Sequence, residues 1–246
     1  MTTTPPPATT PSDGSQPAPN EIPAQPGQGE HVPAPRALGT LATATQALLI
    51  VCGALSAVTI ATELFGIGAV SGYLAGDGAA IGAIEAYDQT TALVSILASG
   101  AFITTGVLWA IWQYRAAKQV VGRTRRSPGW HAGSWFVPIV SLWFPYQNIS
   151  DLWRAVGLSR PSWQAVWWLL FLGSNFAIQI STRAYLAAET LEQFRVAMWM
   201  SLIGEVLLLA AVPLAWMVVR GITRGILDRA RPVVGAGGDD VAAPPA

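Results

Sequence analysis

The chain has 246 residues, 52% of them apolar and only 11% charged, with a formal net charge of zero. Soluble domains carry about a quarter charged residues, so this composition excludes an ordinary soluble fold and points to an integral membrane protein. The balanced charge gives no basic face for nucleic acid, and a single cysteine, Cys52, excludes an intrachain disulfide.

Residues 1–36 are dominated by Pro, Thr, Ala, Ser and Gln and hold few large apolar side chains. Such a stretch buries too little surface to offset its ordering entropy, so a disordered tail is expected there. It lacks the basic region followed at once by an apolar run that marks a signal peptide, and the first apolar segment is expected to act as an uncleaved anchor. Residues 232–246 repeat the pattern and read as a second disordered tail.

Between the tails, 37–231 reads as a membrane domain. Four stretches, about 41–62, 91–112, 163–180 and 197–219, are long and apolar enough to cross a hydrocarbon core, which needs roughly 20 helical residues. The connection 63–90 carries Glu63, Asp77, Glu85 and Asp88 without a Lys or Arg, and is expected to be a solvated loop. Arg115, Lys118, Arg123, Arg125 and Arg126 follow the second span, and Arg220, Arg224, Arg229 and Arg231 follow the fourth. Basic residues near span ends face the cytoplasm. Both termini are therefore expected inside. Lys118 is the only lysine among the bases, and the Arg, Ala, Gly and Val usage fits a GC-rich bacterial coding sequence and hence a bacterial inner membrane.

The run 130–157 is apolar, rich in tryptophan and broken by Pro138 and Pro145. A fifth crossing there would put the last arginine cluster outside, against the basic-inside preference. It is expected to be a re-entrant or interfacial hairpin, ending in an amphipathic helix with Ile149, Leu152, Trp153 and Val156 on one side. Trp109, Trp112, Trp130, Trp143, Trp153, Trp163, Trp167 and Trp216 would form an inner interfacial belt, with Trp199 at the outer end. The expected fold is all-α: a four-helix transmembrane bundle with a Trp/Pro-rich hairpin.

The stretch from Trp109 to Val156 resembles the bacterial domain-of-unknown-function family 4328, multi-span membrane proteins. The likeness rests on Tyr114 and Arg115, on the block Ser127, Pro128, Gly129 and Trp130, on Trp135 and Pro138, on Trp143, Pro145, Tyr146 and Gln147, and on Trp153 and Arg154. Gln119 and Ser141 stand where the family has asparagine, and Ser134 where it has a second tryptophan. The resemblance implies a membrane location and brings no activity.

Glu205 lies near the middle of the fourth span, where an ionised acid costs on the order of 2.5 to 3.5 kcal/mol. Counting from span midpoints puts Ser174 and Asn175 at its depth, which makes an Asn175–Glu205 hydrogen bond available. The three form a candidate intramembrane polar site, either an interhelical clamp or a proton or cation relay. His31 and His131 have no partner at metal-ligand spacing, and no dinucleotide, P-loop or hydrolase signature is present. No cofactor, metal or enzymatic activity is expected. The preferred expectation is a membrane scaffold, contacting lipid through its bundle and a cytoplasmic protein through its flexible N-terminal tail. The alternative is a small transporter or channel-like protein using the hairpin and Glu205.

Overall fold

The apolar segments run further as helix than their hydropathy suggests, because little in their sequence interrupts them. The computed structural model describes residues 1–4 and 35–230. The chain divides into two units, Met1–His31 and Val32–Ala246. Of the first only Met1–Thr4 are described, as exposed residues without regular structure. The tails expected at 1–36 and 232–246 otherwise lie outside the described residues, as do His31 and Arg231, apart from the backbone of residues 35 and 36.

Among the described residues of the second unit there is no strand. α1 (Pro35–Leu74), α2 (Ala80–Gln119), α5 (Trp163–Ala187) and α6 (Leu191–Ala230) are the long helices. All four are long and apolar enough to cross a membrane, and the three helices of 40 residues reach about 60 Å at 1.5 Å per residue. Large apolar side chains such as Ile50, Val58, Leu93, Ile96, Ile103, Leu169 and Phe176 point outward and are exposed. A soluble protein rarely presents so much contiguous apolar surface, whereas lipid is the solvent such a surface requires. This is a multi-pass membrane protein.

The expected loop 63–90 is a correction: it shrinks to residues 75–79. α1 continues to Leu74 and closes with Gly76 at φ 97°, its N–H bonded to the Tyr73 carbonyl and that of Asp77 to Gly72. This pair of bonds is the left-handed glycine stop of helix C-termini, and Asp77 then accepts the Ala79 N–H. α5 and α6 are likewise joined by a short turn, in which the Thr190 hydroxyl accepts the Gln193 N–H and Gln193 accepts that of Glu189, a variant of the capping box.

α1 packs on both α2 and α6, and α5 packs on α6. Along α1 the buried residues Leu38, Ala42, Thr45, Leu49, Cys52, Ser56, Glu63, Ile67 and Val70 recur at spacings of three and four or their sum, the stripe a helix shows when it seats between neighbours. α2 and α5 share no comparable close packing and meet through large rings such as Trp109 and Trp167, 5.7 Å between centroids. A cleft therefore runs between them.

One end of the bundle is closed by α3 (Pro128–Gly133), a 3-10 turn at Val140–Leu142 and α4 (Phe144–Ala155). None of these is long enough to cross a bilayer, and they form the cap. Pro128 and Pro145 start α3 and α4, where the missing N–H costs nothing. α4 is the amphipathic helix the sequence implies, with Ile149, Leu152 and Trp153 in the core, yet its polar side is buried too: Asn148 and Asp151 are almost fully enclosed. The cap sits at the basic end, with Arg125, Arg126, Arg154, Arg220 and Arg229, while Asp77, Glu85, Asp88, Glu189 and Glu192 lie toward the other end.

The expected tryptophan belt needs correcting in part. Trp109, Trp112, Trp153 and Trp167 are buried in the main core with Trp168, Val218 and Ile222, where the Trp112 indole donates to the Thr223 hydroxyl at 3.0 Å. Trp130, Trp143 and Trp199 do face outward. Large rings fill the space between widely set helices before they line an interface.

Candidate functional site

Two cavities are stacked in the α2–α5 cleft. The one nearer the acidic end, about 500 Å³, is lined by Glu63, Asp88 and Glu205, by Tyr87 and Tyr185, and by the hydroxyls of Thr59, Thr62, Thr91, Ser95, Ser99, Ser181, Thr182 and Ser201. No basic side chain lines it. Glu63 is only 4% exposed. It sits on the buried stripe of α1, in a helix rather than in the solvated loop expected from sequence, because helical register carries it inward one turn beyond Thr59. The Tyr87 hydroxyl donates to Glu63 Oε2 at 3.1 Å, and the Tyr185 hydroxyl reaches both carboxyl oxygens at 3.3 Å. Ser201 is a further partner. Tyr87 can lie this close because residue 66 is glycine: a Cβ there would overlap the Tyr87 ring and approach the Met198 methyl to 2.5 Å.

Glu205 lies deeper along α6 and is met by Ser56 of α1. The bond expected between Asn175 and Glu205 is not made. Asn175 Nδ2 donates to the Phe171 carbonyl at 2.7 Å and Ser174 to the same carbonyl at 2.8 Å. Gly204 abuts Ala177 and Ile178, so α5 and α6 are neighbours near this level, but helical phase turns Asn175 to the second cavity and leaves Ser174 buried on its own helix.

The second cavity, about 530 Å³, lies toward the cap and is apolar. Its walls include Phe102, Trp109, Trp135, Trp167, Phe171, Phe176 and Leu208, with Cys52, Thr105, Ser141, Asn175 and Gln179 as scattered polar members. The Thr105 hydroxyl donates to the Ala101 carbonyl at 2.7 Å and accepts from the Cys52 thiol at 3.1 Å. Trp135 from the hairpin forms part of the floor, its indole donating to Gln113 Oε1 at 2.7 Å and its ring packed on Trp109, Trp168 and Phe171.

Beneath the floor, the cap is held by a polar network that sequence reading missed. Arg125 grips Asp151 through Nε at 3.0 and 3.2 Å and through a second nitrogen at 2.9 Å, and Arg154 adds a 2.7 Å contact. These bonds raise the Arg125 pKa further above its usual value. Arg126 donates to Gln147 and Asn148 and lies 3.8 Å over the Phe144 ring. Asn148 donates to the Trp130 carbonyl and Ser134, and Gln164 to the Tyr146 carbonyl and Ser150. His131 is fully buried with neither ring nitrogen hydrogen-bonded. Burial, reinforced by Arg126 and opposed by Asp151, pushes its pKa down to about 4.

Most of the family-like motif is thus the cap's own architecture: Ser127, Pro128, Gly129 and Pro145 start its helices, Trp130 packs on Phe144, Tyr146, Gln147 and Trp153 tie α4 to its neighbours, and Arg154 bonds within α4 to Asp151 and the Ser150 carbonyl. Pro138 precedes Ile139, which takes a positive φ of 66° that a β-branched residue rarely adopts. Tyr114 stacks under Lys118 at 5.3 Å. Among the described residues no group of three or more His, Cys, Asp or Glu is arranged to hold a metal. Glu63 was legible in principle, since it continues the stripe Leu38 to Ser56. Asp151 was not, because only folding brings Arg125 to it.

The fold and its cleft define an all-helical multi-pass membrane protein with a polar and an apolar chamber inside the bundle. The chain belongs to the family described as Domain of unknown function (DUF4328), whose model matches residues 78–224, from the α1–α2 turn to near the end of α6. α1, with Glu63 and Ser56, lies outside the matched stretch. Comparison with curated proteins and with solved structures gives no match.

Proposed function

We propose that this is a small transporter- or channel-like protein of a bacterial inner membrane, in which the α2–α5 cleft admits a proton or other cation to Glu63 and Glu205. The observation that carries the reading is the acidic, hydroxyl-lined cavity, with three carboxyl groups and no base on its walls. Burying a carboxyl among membrane helices is costly, and such groups mark ion or proton pathways by default. The basic-inside preference places the cap and both termini in the cytoplasm, so the acidic cavity faces the outside. The hairpin then enters and leaves by the cytoplasmic face, its exposed Phe136, Ile139 and Trp143 set at the lipid interface and its Trp135 closing the cleft from within. The scaffold reading rests on the N-terminal tail, outside the described residues, so the geometry bears on transport.

The test is cation and proton flux into vesicles containing the purified chain. Glu205→Gln and Glu63→Gln are expected to lower flux at least tenfold. Flux in both variants equal to that of the unaltered chain, or no flux of any cation above empty vesicles, would remove the reading.

A further inference from the structure

The two cavities have opposite chemistry yet adjoin. On α2, Ser99 of the acidic cavity is three residues from Phe102 of the apolar one, on α6 Glu205 is three from Leu208, and on α5 Ile178 precedes Gln179. Each step is a helical turn or less, about 5 Å. Cys52, on the apolar wall, lies within electrostatic reach of Glu205. The chambers are therefore successive lengths of one cleft, each of a size that holds small molecules, roughly 300 to 1,000 Å³.

We infer that the cleft binds an organic cation with an apolar body, its body in the aromatic chamber and its positive group toward Glu205. A small hydrated ion gains nothing from a chamber walled by Trp109, Trp135, Trp167 and Phe171, and would lose its water there. A neutral hydrophobe gains nothing from carboxyls. A molecule with both parts uses both lengths, and aromatic faces add attraction for its charge. The apolar chamber has few polar groups, and of these the Cys52 thiol donates to Thr105, Thr105 to the Ala101 carbonyl and Asn175 to the Phe171 carbonyl. Ile103, Val107 and Phe176 belong both to the chamber wall and to the outward apolar surface, so entry is from the lipid, where an amphipathic cation concentrates. The inference names the substrate class of the transport reading and rests on it for its consequence, though not for its binding step.

The experiment is equilibrium dialysis of the full chain in detergent micelles against tetraphenylphosphonium, with tetraphenylborate, of similar shape and opposite charge, as the control and empty micelles subtracted. The cation is expected to bind at least tenfold more tightly than the anion. Glu205→Gln is expected to weaken the cation at least tenfold, and Glu205→Asp to restore part of the loss. Gly106→Leu is expected to weaken it as well: residue 106 lines the apolar chamber and a Cβ there meets nothing within 4 Å, so the added side chain fills the chamber without disturbing the fold. Equal binding of the two ions, or cation binding unchanged in both Glu205→Gln and Gly106→Leu, overturns the inference. Glu205-dependent flux of protons or small cations with no tetraphenylphosphonium binding overturns the substrate class and leaves the transport reading standing. Charge-selective binding that both variants weaken, without any flux, upholds the site and removes transport.

Discussion

Replacing Tyr87 by phenylalanine deletes one oxygen from a ring that is 2% exposed and leaves its packing over Gly66 and Met198 intact. The change therefore isolates the 3.1 Å hydrogen bond to Glu63 from any cavity term. Combined with Glu63→Leu, which removes both acceptor oxygens, in a double-mutant cycle, it measures the coupling of the pair. Side-chain hydrogen bonds between membrane helices average about 0.6 kcal/mol in such cycles, whereas a bond to a charged acceptor contributes about 1.5 to 3 kcal/mol. Tyr185, at 3.3 Å from both carboxyl oxygens, replaces part of the lost bond, so the lower part of each range is expected. A coupling near 0.6 kcal/mol marks a neutral carboxyl, and one of about 1.5 kcal/mol or more an ionised one. The assay is equilibrium unfolding in mixed micelles followed by far-ultraviolet circular dichroism. Repeated at a series of pH values, it locates where the carboxyl changes state. A coupling below about 0.3 kcal/mol throughout would refute the argument that Tyr87 holds Glu63 within the acidic cavity.

Asp151 is 3% exposed while its two arginine partners are 57% exposed, so the network should respond asymmetrically. Arg125→Gln or Arg154→Gln alone is expected to cost about 0.5 to 1 kcal/mol, because the other arginine remains. The double variant, which strands the buried carboxylate, should cost about 3 to 5 kcal/mol, and strictly additive costs in thermal unfolding would contradict the shared role of Asp151. His131 gives a pH dependence. Its pKa falls from 6.5 to about 4 on folding, so the unfolded chain binds a proton between those values and the folded chain does not. Stability is then full above about pH 6.5 and is lost as pH falls toward 4, by about 3 kcal/mol at 1.36 kcal/mol per unit. His131→Leu should flatten that part of the stability profile, and an unchanged slope would assign the acid sensitivity to other groups.

Sequence alone determined the solvent of this protein and the elements that meet it. Four long apolar segments with Glu205 as their single ionisable acid or base leave no soluble alternative, and lipid requires helix, because every backbone polar group must be satisfied within its own segment. The family-like blocks were legible for a similar reason: the prolines, glycines and tryptophans of 127–154 act locally, as helix starts, turns and ring contacts. Span ends were misjudged at 63–90, since hydropathy reports where apolar residues stop and not where helix stops, and Gly76 rather than Glu63 carries the stop. The partners of the buried polar groups were decided only by tertiary structure. Glu63 meets Tyr185 across 122 residues and Arg125 meets Asp151 across 26, and such pairings depend on the rotation of each helix about its own axis. A rotation of one residue, about 100° in a helix of 3.6 residues per turn, separates Asn175 in the apolar chamber from Ser174 on the same depth count. Depth follows from counting residues, but facing follows from packing, and packing alone opened the cleft between α2 and α5.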